Sequence, residues 1–226
     1  GMAIDNVQIL GSSTANIQTV DNTAAPENIP VSGLSTVHFY DPITNDVMGT
    51  IQNLSTWDYQ CTRVEVDRDA IVTAGPTAPF WDTNPANALA AKTFFISPIN
   101  NNPIGTYTVT LYYTDAEITA WENATGKSRA VLKIVKVANN PVSIVNSSTF
   151  NNYTVEQIPA TIGAFGTDIT LTATFNTGFS GFGIGDPGPA PIVLLPMELI
   201  SFTGLKKSND AILSWETKNE HDLDFY

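Results

Sequence analysis

The chain has 226 residues, of which 42% are hydrophobic and 14% are charged, and this balance predicts a folded chain with a substantial core. Its net charge of −12 argues against nucleic acid and anionic membrane surfaces as partners, because both require basic patches. There is no apolar run of about 18 or more residues, so we expect no membrane insertion.

The first half of the chain predicts short strands separated by turns. Residues 2–28 suit an extended arm or two short strands, and alternating runs predict strands at residues 34–40, 47–52, 59–66 and 92–97. Residues 74–91 between the last two strands predict an irregular insert, because prolines do not lie in central strands. This insert contains Phe80 and Trp81.

The clearest alternation lies in residues 106–113, where tyrosine, valine and leucine alternate with threonine, as in a half-buried strand. Thr114 and Glu117 then have the spacing of a capping box, which predicts the start of a helix, and Gly126 predicts its end. A further strand is expected over residues 129–137.

The rest of the chain predicts more strands, a linker and a hairpin. Strands are expected at residues 142–145, 153–158 and 167–175, and residues 178–185 close the domain. About ten strands, one short helix and no alternation of strands with helices predict an all-β fold. We expect an antiparallel β-sandwich, either a jelly roll or an elaborated immunoglobulin-like fold.

Three segments are expected: a β-sandwich domain at residues 1–185, a Pro/Gly linker at 186–196 and a truncated module at 197–226. The last segment predicts a hairpin, and an isolated two-stranded hairpin is marginally stable in water. Its apolar residues therefore need a partner, either the main domain or another molecule, so the hairpin is a candidate for self-association. These residues are Leu199, Phe202, Ile212 and Trp215.

Two stretches resemble a known group of proteins. The sequence YYTDAEITAWENATG resembles a segment repeated in large secreted surface proteins of the Bacteroidetes phylum. The sequence LPMELISFTGLKKSNDAILSWETKNEHDLDFY is similar to the start of the fibronectin-III-like module that precedes a type IX secretion sorting domain. The resemblance implies a secreted or cell-surface location and a modular architecture, and it implies no activity.

Loop carboxylates beside the strands raise the question of calcium, which binds six to eight oxygen ligands. The candidates are Asp41, Asp46, Asp67 and Asp69. Their spacing matches no EF-hand or other strict calcium loop, so solvated turn aspartates are the simpler interpretation.

Loop aromatics raise the question of carbohydrate, because β-sandwich binding modules stack flat side chains on sugar rings. The candidates are Trp57, Phe80, Trp81 and Tyr153. The alternative is that these aromatic rings cover the ends of the sandwich.

Catalytic patterns are missing from the sequence. No Gly-x-Ser-x-Gly, His-Glu-x-x-His or phosphate-loop motif occurs. A glycosidase needs two carboxylates that converge on a cleft, and the sequence does not identify such a pair. Cys61, the only cysteine, is expected to be a buried structural thiol. The sequence therefore favours a non-catalytic structural or adhesive module that contacts a polysaccharide or a surface protein. A carbohydrate-binding module is the alternative, and a glycoside-active enzyme is the third.

Overall fold

The computed structural model describes residues 16–24, 26–68, 84–142, 145, 152–188, 198–207 and 210–218. The chain divides into two compact units, Gly1–Pro191 and Ile192–Tyr226. The first unit contains two large antiparallel sheets whose inner faces share one hydrophobic core. The prediction of an all-β sandwich is confirmed.

The sandwich contains eleven strands among the described residues. In chain order they are β1 (Glu27–Ser32), β2 (Thr36–Tyr40), β3 (Val47–Asn53), β4 (Asp58–Arg68), β5 (Lys92–Pro98), β6 (Tyr107–Tyr113), β7 (Lys133–Val137), β8 (Val155–Pro159), β9 (Thr161–Phe165), β10 (Asp168–Phe175) and β11 (Gly181–Gly185). The six-stranded sheet has the order β1-β4-β5-β11-β7-β8, and the five-stranded sheet has the order β2-β3-β6-β10-β9.

Side-chain alternation determines which face of each strand is buried. In β6, Tyr107, Val109 and Leu111 are fully buried, whereas Thr108 and Thr110 are partly exposed on the outer face. β10 pairs with β6 in a register that places Leu171 opposite Leu111 in the core, and Thr172 and Thr174 opposite Thr110 and Thr108 on the outer face. The alternation in the sequence therefore predicted both the strand and its inner face.

The helix α1 (Asp115–Thr125) begins and ends as the sequence predicted. The hydroxyl of Thr114 accepts a hydrogen bond from the Glu117 amide, and the Glu117 carboxylate accepts one from the Thr114 amide. Gly126 ends the helix in the left-handed region at φ 70°, a conformation that glycine adopts without steric cost.

The prediction of a strand over residues 129–137 was wrong in its first part. Arg129–Val131 forms a 3-10 turn capped by Ser128, and the strand begins only at Lys133. The cause is a local clamp: the Arg129 guanidinium binds the carboxylates of Glu122 and Asp115 on α1. These contacts hold Arg129 against the helix and away from the sheet.

Two further segments differ from the prediction. The expected strand at residues 142–145 is a turn at its described ends, because the Val145 amide donates to the Val142 carbonyl. Both valines belong to a second buried cluster, formed by Leu89, Val135, Val137, Val142 and Val145 on the outer face of the six-stranded sheet. Conversely, β9 was not predicted, because its exposed Thr-Ile-Gly-Ala sequence shows no alternation of apolar and polar side chains.

Strand directions define two ends of the sandwich. Register places the end of β10 beside the start of β6, and the start of β11 beside the end of β7. One end therefore carries loops that are far apart in sequence, and we call it the pocket end. Its described loops include residues 33–35, 54–57, 99–106, 138–142 and 176–180. The opposite end, which carries α1 and the turn at residues 41–46, is the helix end.

The second unit contains one antiparallel hairpin, formed by β12 (Glu198–Lys207) and β13 (Asp210–Lys218). Phe202 and Ile212, which the sequence analysis expects to need a partner, are 61% and 46% exposed. Ile200, Leu205 and Leu213 are exposed as well. Packing of these side chains on another surface stays a prediction.

Candidate functional site

Trp57 lies at the pocket end, in the loop between β3 and β4. Its backbone carbonyl accepts a hydrogen bond of 2.8 Å from the Asn53 amide, and its indole Nε1 donates to the Asn100 carbonyl at 3.0 Å. The residue remains 40% exposed. The indole is therefore fixed at one edge while part of the side chain faces solvent, which suits stacking on a flat ligand.

The other predicted aromatics do not join Trp57 in a single described platform. Tyr153 is partly buried and packs against the second cluster, on the outer face of the six-stranded sheet. Phe80 and Trp81 lie outside the described residues. A shared sugar platform of these four residues therefore stays a prediction.

Asp41 is a buried carboxylate whose two oxygens both accept hydrogen bonds within the protein. It is 3% exposed; Oδ1 accepts from the amides of Ile43 and Thr44, and Oδ2 accepts from the side chains of Gln18 and Asn22. Burial raises the pKa of Asp41, but these hydrogen bonds outweigh burial, and the net pKa is below the ordinary 3.8. Asp41 stabilises the turn between β2 and β3.

The remaining calcium candidates are not assembled into a described site. Asp46 lies in the same turn as Asp41, and Asp67 lies near the C-terminal end of β4. Asp69 is outside the described residues. Among the residues that the structure describes, no three His, Cys, Asp or Glu side chains are arranged to hold a metal ion.

Cys61 and His38 both lie on strands of the sandwich. Cys61 lies in β4 opposite Pro30 and is partly exposed, so the expectation of a buried thiol was wrong in degree. β1 is an edge strand, and its Pro30 covers the Cys61 position only in part. His38 is exposed on β2, and its Nδ1 is 2.8 Å from the hydroxyl of Thr50.

A cavity of about 210 Å³ opens at the pocket end, where the β5–β6, β7–β8 and β10–β11 loops meet. It is lined by Asn101, Pro103, Lys136, Ala138, Asn139, Thr177, Gly178, Phe179 and Ser180. A second cavity of about 190 Å³ shares Asn101, Asn139, Phe179 and Ser180 with the first. The two cavities are therefore adjacent compartments of one recess, whose lining combines apolar surface with polar side chains.

Hydrogen bonds lock the backbone of this recess. The Asn101 amide group donates to the Phe179 carbonyl and accepts from the Phe179 amide, both at 2.9 Å. The Tyr107 hydroxyl donates to the Gly178 carbonyl at 3.1 Å, and its ring stacks on Phe179 with centroids 3.7 Å apart. Asn139 occupies the left-handed region at φ 58°, which asparagine tolerates better than most residues. The hydrogen bonds of Asn101 and Tyr107 thus join the β5–β6 and β10–β11 loops to each other and to the core.

Lys136 brings a charge to the wall of the recess. Its side chain is 6% exposed, and its ammonium donates to the Thr177 hydroxyl and lies 3.5 Å from the Glu156 carboxylate. The Thr177 hydroxyl in turn donates to Glu156 at 2.8 Å. Burial lowers the pKa of Lys136, and the nearby Glu156 opposes that shift only in part. The residues that line the recess therefore include a lysine, a threonine and two asparagines, Asn101 and Asn139.

This recess was not predicted from the sequence, although one signal was present. Lys136 has the same parity in its strand as Ile134, which lies in the core between the sheets. An inward-facing lysine is costly without partners, so its parity alone marks an unusual environment. Asn101 and Thr177 gave no comparable signal, because both stand in turn sequences.

Comparison with known proteins identifies no relative: no family model, curated protein or solved structure matches the chain significantly. Within the described ranges, none of the helices has the length and apolar character needed to span a bilayer.

Proposed function

We propose that the chain is a non-catalytic adhesive module of a secreted or cell-surface protein, and that the pocket end is its binding surface. The observation that carries the proposal is the pocket end itself. There, rigid loops present amides and hydroxyls around a recess, and the partly exposed indole of Trp57 is held on the neighbouring loop. Rigid polar loops on a β-scaffold are a common way to build a binding surface.

The resemblance to Bacteroidetes surface proteins supports the proposed location, because the two stretches that carry it resemble segments of modular secreted proteins. The composition agrees with this assignment. Threonines form most of the outer face of β6 and β10, where Thr108 pairs with Thr174 and Thr110 with Thr172.

Carbohydrate is the favoured ligand class, over a surface protein, because of one specific arrangement. An aromatic ring fixed at its edge beside a recess of hydrogen-bonding groups matches a sugar, which has apolar ring faces and polar hydroxyls. The alternative of a glycoside-active enzyme would require two carboxylates facing one cleft. Glu156 contacts two residues that line the recess, Lys136 and Thr177, and it is paired with Lys136.

Affinity electrophoresis against a panel of neutral and acidic polysaccharides tests the proposal. We expect at least one polysaccharide to retard the protein, and we expect Trp57→Ala to abolish the retardation. Tyr40→Ala is the matched control, since Tyr40 is a similarly exposed aromatic on β2, beside the helix-end turn.

Two results would contradict the proposal. One is the absence of retardation by every polysaccharide together with no adhesion to glycan-free protein surfaces. The other is the appearance of new reducing ends when a retarding polysaccharide is incubated with the protein, which would mean catalysis.

A further inference from the structure

The cavity beside Lys136 has the size and chemistry of a site for one small polar ring. We propose that it binds a single neutral, hydroxyl-rich sugar residue, with two adjacent ligand hydroxyls bound by the Lys136 ammonium and the Thr177 hydroxyl. This inference rests on the carbohydrate-binding candidate above, and it specifies the ligand and the subsite.

The volume of the cavity limits the ligand. At about 30 Å³ per water, about 210 Å³ corresponds to about seven waters, which is less than the volume that drug-sized ligands occupy. A single sugar ring with its hydroxyls fits that limit. The neighbouring cavity of about 190 Å³, which shares Asn101 and Phe179 with the first, offers room for a second sugar residue of the same oligosaccharide.

The donor and acceptor pattern favours hydroxyl groups. Lys136 only donates, Glu156 only accepts, and the Thr177 hydroxyl between them does both. A sugar hydroxyl also donates and accepts, so adjacent hydroxyls can bond to Lys136 and Thr177, the two of these groups that line the cavity. Hydrogen bonds to charged partners are about twice as strong as those between neutral groups.

The charge balance favours a neutral ligand over an anionic one. The Lys136 charge already faces Glu156 at 3.5 Å, and the whole chain carries a net charge of −12. An added carboxylate would compete with Glu156 and would be repelled by the overall field.

Lys136 differs from the other buried lysine of the sandwich. The Lys92 ammonium donates to the Gln18 carbonyl at 3.0 Å and to Glu117 at 2.8 Å, and it lies 4.6 Å from the centre of the Tyr113 ring. Lys92 is therefore enclosed by protein groups and joins elements of the fold, whereas Lys136 lines a cavity that opens to solvent.

Isothermal titration calorimetry with four methyl glycosides tests the site: the glucoside, galactoside and mannoside, with the glucuronide as the acidic comparison. We expect at least one neutral hexoside to bind, and we expect Lys136→Met and Thr177→Val to weaken binding about tenfold or more. Lys133→Met is the matched control, because Lys133 is on the same strand but binds Asp186 at the helix end.

Circular dichroism and urea unfolding of each variant show whether it is folded. If Lys136→Met does not fold, Thr177→Val decides, since valine keeps the shape of threonine and removes only the hydroxyl. The proposal is overturned if no neutral hexoside binds, if a folded variant of either residue binds like the wild type, or if the glucuronide binds more tightly than the glucoside.

The two proposals fail separately. Retardation by a polysaccharide that depends on Trp57, without hexoside binding, would refute the cavity site and leave the adhesive surface intact. Hexoside binding without adhesion to any polysaccharide or surface would refute the adhesive surface and support the cavity site.

Discussion

The carboxylate of Asp41 illustrates how a turn aspartate becomes structural. Its oxygens accept hydrogen bonds from neutral donors of the turn and of the preceding segment at Gln18 and Asn22. The sequence identified Asp41 as a turn residue and as a possible calcium ligand. It could not show that Gln18 and Asn22 would donate hydrogen bonds to the carboxylate, because those contacts depend on tertiary structure.

We expect Asp41→Asn to lower the free energy of unfolding at neutral pH by about 1–3 kcal/mol. The NH2 group of asparagine cannot accept hydrogen bonds, so donors that one carboxylate oxygen had bound would lose their acceptor. The folded pKa of Asp41 is lowered, so its stabilisation is present above the unfolded pKa and is lost as pH falls through the folded value. Urea unfolding should therefore show a difference that narrows below about pH 4. Asp46→Asn is the control; an equal loss there would contradict the account.

Gly105 shows why one position at the pocket end must remain glycine. A Cβ at Gly105 would overlap the hydroxyl oxygen of the buried Tyr59. We expect Gly105→Ala to destabilise the protein by about 1–3 kcal/mol, measured by urea unfolding. Removing the hydroxyl with Tyr59→Phe should restore part of that loss in the double variant. No restoration would mean that the clash is not the cause.

At the scale of elements, α1 is joined to the sheet through Glu117. The same carboxylate oxygen accepts from the Thr114 amide and from the Lys92 ammonium, both at 2.8 Å. The sequence predicted the first contact, because a capping box is local. It gave no indication of the second, because Lys92 is 25 residues away on β5.

We expect Glu117→Ala to cost about 3–5 kcal/mol of unfolding free energy, because it leaves the buried Lys92 charge without its carboxylate. Thr114→Ala, which removes only the cap, should cost about 1 kcal/mol. Urea unfolding of the two variants compares these values. Equal losses would show that Glu117 acts only as a capping residue.

Strand prediction succeeded where one face is buried and the other is not. In β6 and β10 apolar and polar side chains alternate, because every second side chain faces the core and the others face outward. β9 is exposed along almost its whole length, and Arg129 is held by α1, so neither segment carries that alternation. Local sequence could therefore predict most of the core strands, whereas these two departures depend on neighbours in space.

At the scale of the whole molecule, the fold assembles the recess from distant parts of the chain. Asn101, Lys136 and Thr177 come from three different loops or strands, and Trp57 comes from a fourth. No spacing rule connects these positions, because the contacts arise only when antiparallel strands bring their loops to one end. The fold class could be predicted from the sequence, but the site required the topology.

The charge distribution predicts weak salt dependence for binding. Six basic residues of the sandwich are already ion-paired in the described part of the chain: Arg63, Lys92, Lys127, Arg129, Lys133 and Lys136. We therefore expect polysaccharide retardation to persist when the salt concentration is raised from low to high, since neutral sugars are not held by screened charges. A steep loss of retardation with salt would indicate an acidic ligand instead.

The most direct test of the binding surface is chemical-shift mapping with an oligosaccharide cut from a retarding polysaccharide. We predict that the shifted signals cluster at the pocket end, including the Trp57 indole and the side-chain amides of Asn101 and Asn139. Shifts confined to the helix end or to the hairpin of β12 and β13 would contradict the account.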